Sequence, residues 1–348
     1  MQIKEISVSH YLQNIDDFPL LLDVRSPIEY QKSHIPQSIN LYALNDKERA
    51  EVGKLHARTA FEARLLGASF ICKNLSNHLK DFEHTPAKKV AIYCAKGQMR
   101  SYSISTVLAA IGFRVYRIIG GYKAYRQEIL KFFSTPLKHS FVLLDGPTGS
   151  GKSEIIKEFK QSINLEELAN HKGSVFGALQ TPQPSTAQFE NLLFHELLRF
   201  DEDEPILLEA ESKNIGKVTI PTSFYDEMKK GYRIYLKTPL KDRVNRIVNE
   251  YEGISNEQFF SSLKKISRYI SKELYDEIAL SFNEKNFHKT ADLLLEKYYD
   301  KAYKKPKKID EIIESKTMAK SINEIEIIVK REKQSKTTAY FASEKQAF

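Results

Sequence analysis

The chain has 348 residues, enough for two ordinary domains that each bury a core of their own. With 41% hydrophobic and 28% charged residues, its composition is that of a folded soluble protein, which excludes disordered and fibrous classes. No apolar stretch is long enough to span a bilayer and the amino terminus lacks a signal-peptide layout, so we expect a cytoplasmic protein without membrane contact. The net charge of +8 suits an anionic partner without identifying it.

The first part of the chain alternates predicted strands with predicted helices. Apolar runs at 20–24, 90–93 and 115–118 read as buried strands, and helical patterns follow at 101–111 and 124–133. Strands that alternate with helices predict a parallel sheet covered on both faces. We therefore expect a first domain over 1–133, followed by a linker at 134–139.

Cys94 directly follows the strand at 90–93, in the sequence Cys-Ala-Lys-Gly-Gln-Met-Arg-Ser. A loop that turns into a helix aims backbone N–H groups at its centre, and Lys96 and Arg100 add positive charge, so a thiol there ionises readily and becomes a nucleophile. Its neighbours are glycine and cations rather than a core. The other cysteine, Cys72, follows the apolar run 68–71, and we expect it to be a small buried hydrophobe.

A complete phosphate-binding P-loop motif, Gly-Pro-Thr-Gly-Ser-Gly-Lys-Ser, lies between the apolar run 141–144 and a helical pattern. Its glycines let backbone N–H groups turn toward a diphosphate or triphosphate, the lysine adds a charge, and the final serine can bind Mg²⁺. The predicted phosphate-binding residues are Gly146, Thr148, Gly149, Gly151, Lys152 and Ser153.

The second domain is predicted over 140–305, with further strands at 205–211 and 233–236 and a long helical pattern from 239 onward. Glu209 and Glu211 end a predicted strand, where P-loop proteins keep an acidic residue for Mg²⁺. His171 lies in a polar loop that could close over the ligand. The tail at 306–348 is expected to be partly helical or paired to the core.

Basic residues that could neutralise RNA phosphates occur in three stretches, and tyrosines in the last of them could stack on bases. They are Lys241, Arg243 and Arg246; Lys264, Lys265 and Arg268; and the run 298–308.

Three functions remain open from the residues alone. A P-loop kinase with a regulatory first domain explains the P-loop but leaves Cys94 without a task. The Cys-x5-Arg spacing from Cys94 to Arg100 is typical of cysteine phosphatases, although Tyr93 stands where those enzymes generally have histidine. An RNA-binding module without catalysis is the third.

Several motifs together resemble a rhodanese domain: Leu-Asp-Val-Arg-Ser-Pro-Ile-Glu-Tyr at 22–30, His-Ile-Pro at 34–36, the Cys94 loop, and Gly-Gly-Tyr-Lys-Ala-Tyr at 120–125. A rhodanese domain followed by a P-loop domain resembles the bacterial tRNA 2-selenouridine synthases, and further matches run from about residue 21 to about residue 251. The resemblance implies a rhodanese-like parallel sheet domain, then a P-loop NTPase-like α/β domain with a helical carboxyl-terminal part. The chain departs from the family pattern at Ala95, Lys96, Gln98 and Ala210.

The resemblance also implies a reaction, in which selenium from selenophosphate replaces the sulfur of wobble 2-thiouridine in tRNA. An S-geranyl intermediate forms from geranyl diphosphate. In this scheme the Cys94 thiolate attacks the selenium donor and carries a perselenide, while Arg100, Lys96 and the loop amides hold phosphate. The P-loop grips the diphosphate of the geranyl donor, with Mg²⁺ as an expected cofactor.

Overall fold

The computed structural model describes residues 3–83, 88–172, 176, 181–251, 253–303, 305–315 and 317–346. Its contacts divide the chain into two compact units. The first comprises Met1–Thr135 together with Pro184–His195, and the second comprises Pro136–Gln183 together with Glu196–Phe348. Among the described residues, no helix has both the length and the apolar character that crossing a membrane requires.

The first unit is built on a five-stranded parallel sheet in the order β1-β5-β4-β2-β3. The strands are β1 (Lys4–Ile6), β2 (Leu20–Asp23), β3 (Ile39–Asn40), β4 (Lys89–Tyr93) and β5 (Arg114–Ile118). The helices are α1 (Val8–Gln13), α2 (Pro27–Lys32), α3 (Asp46–His56), α4 (Ala60–Lys80), α5 (Met99–Ala110) and α6 (Gly121–Phe132).

Alternation along the central strands explains why this sheet is buried on both faces. Leu20 and Leu22 of β2 pack into one apolar cluster, whereas Leu21 between them packs into the cluster on the other face. Because successive strand residues point to opposite faces, an uninterrupted apolar run is what a doubly covered strand needs. The predicted parallel sheet of the first domain is confirmed.

Cys72 is exposed on α4, contrary to our expectation of a buried thiol. The helix turns Ala63, Gly67, Ile71 and Leu75 toward the core. These positions repeat every four residues, so the residue after Ile71 is rotated by about 100° and points to solvent. The apolar run that ends at Ile71 is one turn of an amphipathic helix.

The second unit carries another five-stranded parallel sheet, in the order β12-β11-β6-β8-β7. Its strands are β6 (Phe141–Asp145), β7 (Ser162–Ile163), β8 (Ile206–Glu209), β11 (Tyr232–Lys237) and β12 (Glu311–Glu314), and β9 (Asn214–Ile215) pairs with β10 (Val218–Thr219) in a separate ribbon. This P-loop NTPase-like arrangement confirms the predicted fold class of the second domain.

Helices of the second unit flank this sheet and continue past it. They are α7 (Lys152–Lys157), α8 (Leu165–Leu168), α10 (Thr222–Lys230), α11 (Leu240–Glu250), α12 (Asn256–Ile266), α13 (Lys272–Asn283), α14 (Phe287–Leu294), α15 (Asp300–Ala302) and α16 (Met318–Gln346). Helix α9 (Thr186–Leu198) has residues in both units. The predicted tail at 306–348 supplies the edge strand β12 and helix α16, whose Ile325 and Ile328 are buried. The first part of α9, up to His195, belongs to the first unit.

Hydrogen bonds from loop and helix residues hold that part of α9 on the first unit. Arg126 donates to Asn191 and to the carbonyl of Ala187, and it forms an ion pair with Glu190. The backbone N–H of His34 donates to Gln188 at 2.7 Å. These contacts join residues far apart in the sequence, so the hydrophobic periodicity of each segment could not predict them.

His195 ends this segment among aromatic side chains, with its ring centroid 5.9 Å from that of Tyr125. No described hydrogen bond reaches its Nε2 atom. Burial lowers the pKa of His195 to about 4, because a charged imidazolium is costly away from water. The side chain is therefore neutral at physiological pH.

We expect this histidine to make the fold sensitive to acid. Between pH 6.5 and about 4 the unfolded chain binds a proton that the folded chain excludes, so stability falls as the pH falls, by up to about 3 kcal/mol. In pH-dependent denaturant unfolding, His195→Leu should lose this part of the slope. The control is His56→Leu at an exposed position, which should keep it. Equal slopes for wild type and His195→Leu would contradict the prediction.

Candidate functional site

Cys94 is the first residue after β4, at the carboxyl edge of the first sheet, and its sulfur lies beneath the loop that leads to α5. The backbone N–H of Gln98 donates to Sγ at 3.2 Å, and the hydroxyl of Ser101 donates to it at 3.4 Å. Both donors point at the same sulfur atom, at the amino terminus of α5. This arrangement places the thiol of a candidate nucleophile under polar groups of the loop.

The surroundings of Cys94 differ from our expectation in one respect. The residue is only 2% exposed and contacts the apolar cluster that contains Val24 and Ile104. The strand end lies in the core, so the side chain starts inside it, whereas the sulfur contacts the backbone N–H of Gln98 and the hydroxyl of Ser101. The polar contacts of the sulfur are therefore with the loop and with the first turn of α5.

Glycines allow two backbone segments to approach each other closely beneath the Cys94 loop. The backbone N–H of Tyr122 donates to the Cys94 carbonyl at 2.8 Å. A Cβ atom on Gly121 would lie 2.1 Å from that oxygen, and one on Gly97 would lie 2.7 Å from the backbone nitrogen of Gly120. All three glycines also have positive φ angles. The Gly-Gly motif is thus a structural support for the cysteine loop.

The two cations of the loop have different environments. Arg100 forms an ion pair with Glu29 at 2.8 Å, and Arg49 approaches the same carboxylate at 2.9 Å. Burial opposes ionisation of Glu29, but the hydrogen bond and charge of Arg100 outweigh it and lower its pKa. Lys96 is exposed, and none of the described ion pairs includes it. Lys96 is therefore the cation that can move to an incoming anion without losing a partner.

The P-loop follows β6 and wraps around a polar cavity of about 400 Å³. All six predicted phosphate-binding residues line this cavity: Gly146, Thr148, Gly149, Gly151, Lys152 and Ser153. The ammonium of Lys152 donates to the carbonyl of Gly146 at 3.0 Å. Helix α7 has only six residues, so loop N–H groups and side-chain cations contribute more to anion binding than a long helix dipole.

Residues of the helical part hold the P-loop in place. Arg243 is buried, pairs with Asp300 through two hydrogen bonds, and donates to the carbonyl of Thr148 at 3.4 Å. Arg246 donates to the carbonyl of Gly149 at 3.3 Å and lines the polar cavity. We expected Arg243 to bind RNA, and this was wrong, because its charge is paired with Asp300 inside the unit. Arg246 instead lies where it can contact a phosphate group in the polar cavity.

Tyrosines of the predicted RNA-binding run at 298–308 also face inward. Tyr298, Tyr299 and Tyr303 line the polar cavity, and the Tyr303 hydroxyl donates to Asp145. Asp145 accepts as well from the backbone N–H of Gly146 at 2.8 Å and pairs with Arg233. The Tyr303 hydroxyl is therefore bound inside the unit, to the end of β6.

Three carboxylates meet at the other side of the polar cavity. Glu166, Glu209 and Glu211 each offer an oxygen within 4.8 Å of the others. Glu209 is only 2% exposed, and no described hydrogen bond reaches its Oε1 atom. Burial, followed by the charges of Glu209 and Glu211, raises the pKa of Glu166 to about 9. Burial and the charge of Glu209 raise the pKa of Glu211 to about 7.

This carboxylate cluster has the oxygen donors that Mg²⁺ prefers, and its buried unpaired oxygen fits a cation. Glu209 and Glu211 were predicted candidates, whereas Glu166 was missed. It lies on the four-residue helix α8, and no motif in that stretch indicates a ligand. Only the packing of α8 beside the end of β8 brings it to the cluster.

The polar loop after α8 contributes a different residue from the one we predicted. Lys172 lines the polar cavity, pairs with Glu250 at 3.0 Å and lies 4.6 Å from the centre of the Tyr251 ring. His171 is not among the described residues that line the cavity; a Cβ atom on Gly216 would lie 2.9 Å from its ring. The rest of this loop, 173–175, lies outside the described residues.

Comparison with known protein families finds a match over each of the two units. The model of the tRNA 2-selenouridine synthase AAA domain matches residues 139–335, more than half of the chain, and the model of the rhodanese-like domain matches residues 7–128. The chain belongs to the tRNA 2-selenouridine synthase family.

Curated relatives carry the same family name. The tRNA 2-selenouridine synthase of Nitrosomonas europaea is 36% identical over 249 residues, and that of Shewanella halifaxensis is 31% identical over 353. The first alignment covers 68% of this chain and 64% of the relative, just under two thirds of its length. The second covers 90% of this chain and 96% of the relative, so it spans both units of this synthase family member.

We expect the carboxylate cluster to bind Mg²⁺. Glu166→Gln should weaken Mg²⁺ binding by at least about tenfold, because an amide oxygen carries no charge to offset that of the cation. Isothermal titration calorimetry of the full chain measures this, with thermal unfolding as a check of the fold. The matched control is Glu167→Gln, on the same helix but exposed, which should bind like wild type. Unchanged affinity in Glu166→Gln would contradict the assignment.

Proposed function

We propose that this protein converts wobble 2-thiouridine of tRNA to 2-selenouridine, through an S-geranyl-2-thiouridine intermediate, with geranyl diphosphate and selenophosphate as co-substrates. The observation that carries the proposal is the presence, in one member of this family, of a P-loop cavity for a diphosphate and of a separately built cysteine loop. The names of the relatives support tRNA as the substrate class.

The geranyl step uses the P-loop of the second unit. The sulfur of 2-thiouridine attacks the first carbon of the geranyl group, a C–S bond forms, and the C–O bond breaks, so that pyrophosphate leaves with the electron pair. Lys152, Arg246 and the loop N–H groups stabilise the charge that develops on the leaving oxygen. Loss of Lys152 is therefore expected to slow this step most.

A divalent cation fits the same step for an electrostatic reason. Pyrophosphate is strongly anionic, and Glu166, Glu209 and Glu211 line the cavity that would hold it. Ionised carboxylates repel pyrophosphate unless a cation lies between them. When bound, Mg²⁺ neutralises the leaving group, and the three carboxylates would be the residues that hold it.

The selenium step uses the cysteine loop of the first unit. Selenium in selenophosphate and sulfur in the tRNA base have the same oxidation level, so the exchange needs no oxidant. The P–Se bond breaks, the phosphoryl group passes to water, selenium bonds to C2 of the base, and geranyl thiolate leaves. We assign the Cys94 thiolate to attack on the phosphorus of the donor: an S–P bond forms as the P–Se bond breaks and hydroselenide leaves, and water then cleaves the S–P bond to release phosphate. A perselenide on Cys94, which the resemblance implied, would need an oxidant. Exposed Lys96 binds the phosphoryl group.

Mutations in the cysteine loop and in the P-loop should block different steps of the reaction. We expect Cys94→Ser to abolish 2-selenouridine and to accumulate S-geranyl-2-thiouridine, because the geranyl step does not need the thiol. Lys152→Ala should lower both nucleosides at least about a hundredfold, since the loss of one transition-state donor typically has that effect. Liquid chromatography with mass detection of tRNA nucleosides from cells grown with selenite measures both.

Two matched variants control for general damage to the fold. Cys72→Ser changes an exposed thiol, and Lys157→Ala removes an exposed lysine of α7, so both should keep wild-type nucleosides. The proposed division of steps is wrong if Cys94→Ser contains no S-geranyl nucleoside, or if Lys152→Ala retains both products.

A further inference from the structure

An apolar cavity of about 300 Å³ lies in the second unit, beside the polar P-loop cavity. Side chains of α11 to α14 form most of its wall, and its described lining includes Ile254, Phe259, Phe282, Phe287, Ala291 and Leu294. The rings of Phe259 and Phe282 stack with centroids 3.6 Å apart, and Phe287 packs against Phe282 at 5.6 Å. None of the sequence motifs pointed to this cavity.

The apolar cavity shares part of its wall with the polar cavity. Thr148, Ile247, Tyr251 and Tyr299 line both of them. Thr148 belongs to the P-loop itself, so a group bound by the loop N–H donors lies at the border of the apolar space. One ligand can therefore place an anionic head on the P-loop and an uncharged body among the aromatic rings.

The chemistry of the lining favours a hydrocarbon over a nucleobase. A base needs hydrogen-bond partners along its edges, and burying its polar edge without them is unfavourable. The Thr290 hydroxyl, one of the few polar groups of the wall, already donates to the Asn286 carbonyl and contacts Ser281. Branched hydrocarbon chains need only apolar contact, which the phenylalanine and aliphatic side chains provide.

Cavity size limits the length of that hydrocarbon. A protein cavity of about 150 Å³ accepts benzene, with six carbons, so twice that volume has room for roughly twelve. The observed 300 Å³ therefore accepts a ten-carbon chain but not a fifteen-carbon chain without repacking.

We propose that this cavity is the prenyl-binding site, in which the hydrocarbon of the diphosphate substrate lies while its diphosphate rests on the P-loop, and that its volume selects a ten-carbon chain. The identity of the diphosphate rests on the proposed function. The carbon that joins tail and diphosphate then lies at the border lined by Thr148, between the two anchored parts. Holding both ends orients this carbon for attack.

Binding measurements on the full-length protein test the site. Calorimetric titrations in Mg²⁺ buffer use pyrophosphate, dimethylallyl, geranyl and farnesyl diphosphates, and ATP. We expect geranyl diphosphate to bind on the order of a hundredfold tighter than pyrophosphate, because the tail is removed from water. Farnesyl diphosphate should bind no tighter than geranyl diphosphate, and ATP should bind more weakly than it.

A filling substitution gives the sharper comparison. Ala291→Leu should weaken geranyl diphosphate at least about tenfold and leave pyrophosphate unchanged, because the added carbons occupy the space of the tail. Ala279→Leu makes the same change on α13, at a partly buried residue outside the described cavity lining, and should bind like wild type. The unchanged pyrophosphate affinity shows that Ala291→Leu is folded.

The possible failures are distinguishable. The site is wrong if wild type binds geranyl diphosphate no tighter than pyrophosphate, if ATP binds tighter, or if Ala291→Leu keeps the wild-type ratio. Should tRNA geranylation proceed normally in that last case, the proposed function stands without this site. In another outcome, Ala291→Leu removes the tail-dependent binding but the wild-type protein does not geranylate tRNA. That outcome supports the site and overturns the proposed function.

Discussion

Close contact between backbone segments, which a Cβ atom would prevent, is the constraint on which both functional loops depend. Gly121 lets the chain pass directly under the Cys94 carbonyl, and Gly146 lies where a Cβ would be 2.7 Å from the carbonyl of Leu236. In each case a loop at the carboxyl end of a parallel strand gains the freedom to turn its N–H groups inward. The cysteine loop and the P-loop thus depend on the same constraint, a glycine where a side chain would strike the backbone.

Charge balance shapes the phosphate-binding side. The polar cavity contains Lys152, Lys172 and Arg246 together with a cluster of three carboxylates, so it is not simply a positive pocket. Such a cavity binds an anion best when a cation accompanies it. The neighbouring apolar cavity adds a third kind of surface. Cations, carboxylates and aromatic rings on adjoining walls are the surfaces that the proposed amphiphilic diphosphate would require.

The helical part of the second unit makes hydrogen bonds to the P-loop and to the end of β6. Arg243 and Arg246 of α11 reach the P-loop carbonyls of Thr148 and Gly149, and Tyr303 reaches Asp145 at the end of β6. The same helices form the wall of the apolar cavity. A few defined hydrogen bonds from this part of the chain therefore hold the P-loop.

Local patterns determined the parts of this protein that depend on neighbouring residues. Uninterrupted apolar runs predicted the parallel strands β2, β4, β6 and β8. Fixed spacings predicted the cysteine loop and the P-loop, because the glycine, lysine and serine residues of such a motif lie close together in the sequence. The same patterns failed for single side chains. Cys72 was expected inside and is exposed, and Cys94 was expected among polar groups and is buried up to its sulfur.

Tertiary structure alone decided which distant residues meet. Glu166 joins Glu209 and Glu211 because a short helix packs beside a strand end, and Arg243 becomes a structural residue because Asp300 lies opposite it. The apolar cavity arises from four helices whose phenylalanines look, in the sequence, like any other core residues. Spacing along the chain encodes the direction of a side chain on its own element, whereas burial, charge pairing and empty space depend on what another element places against it.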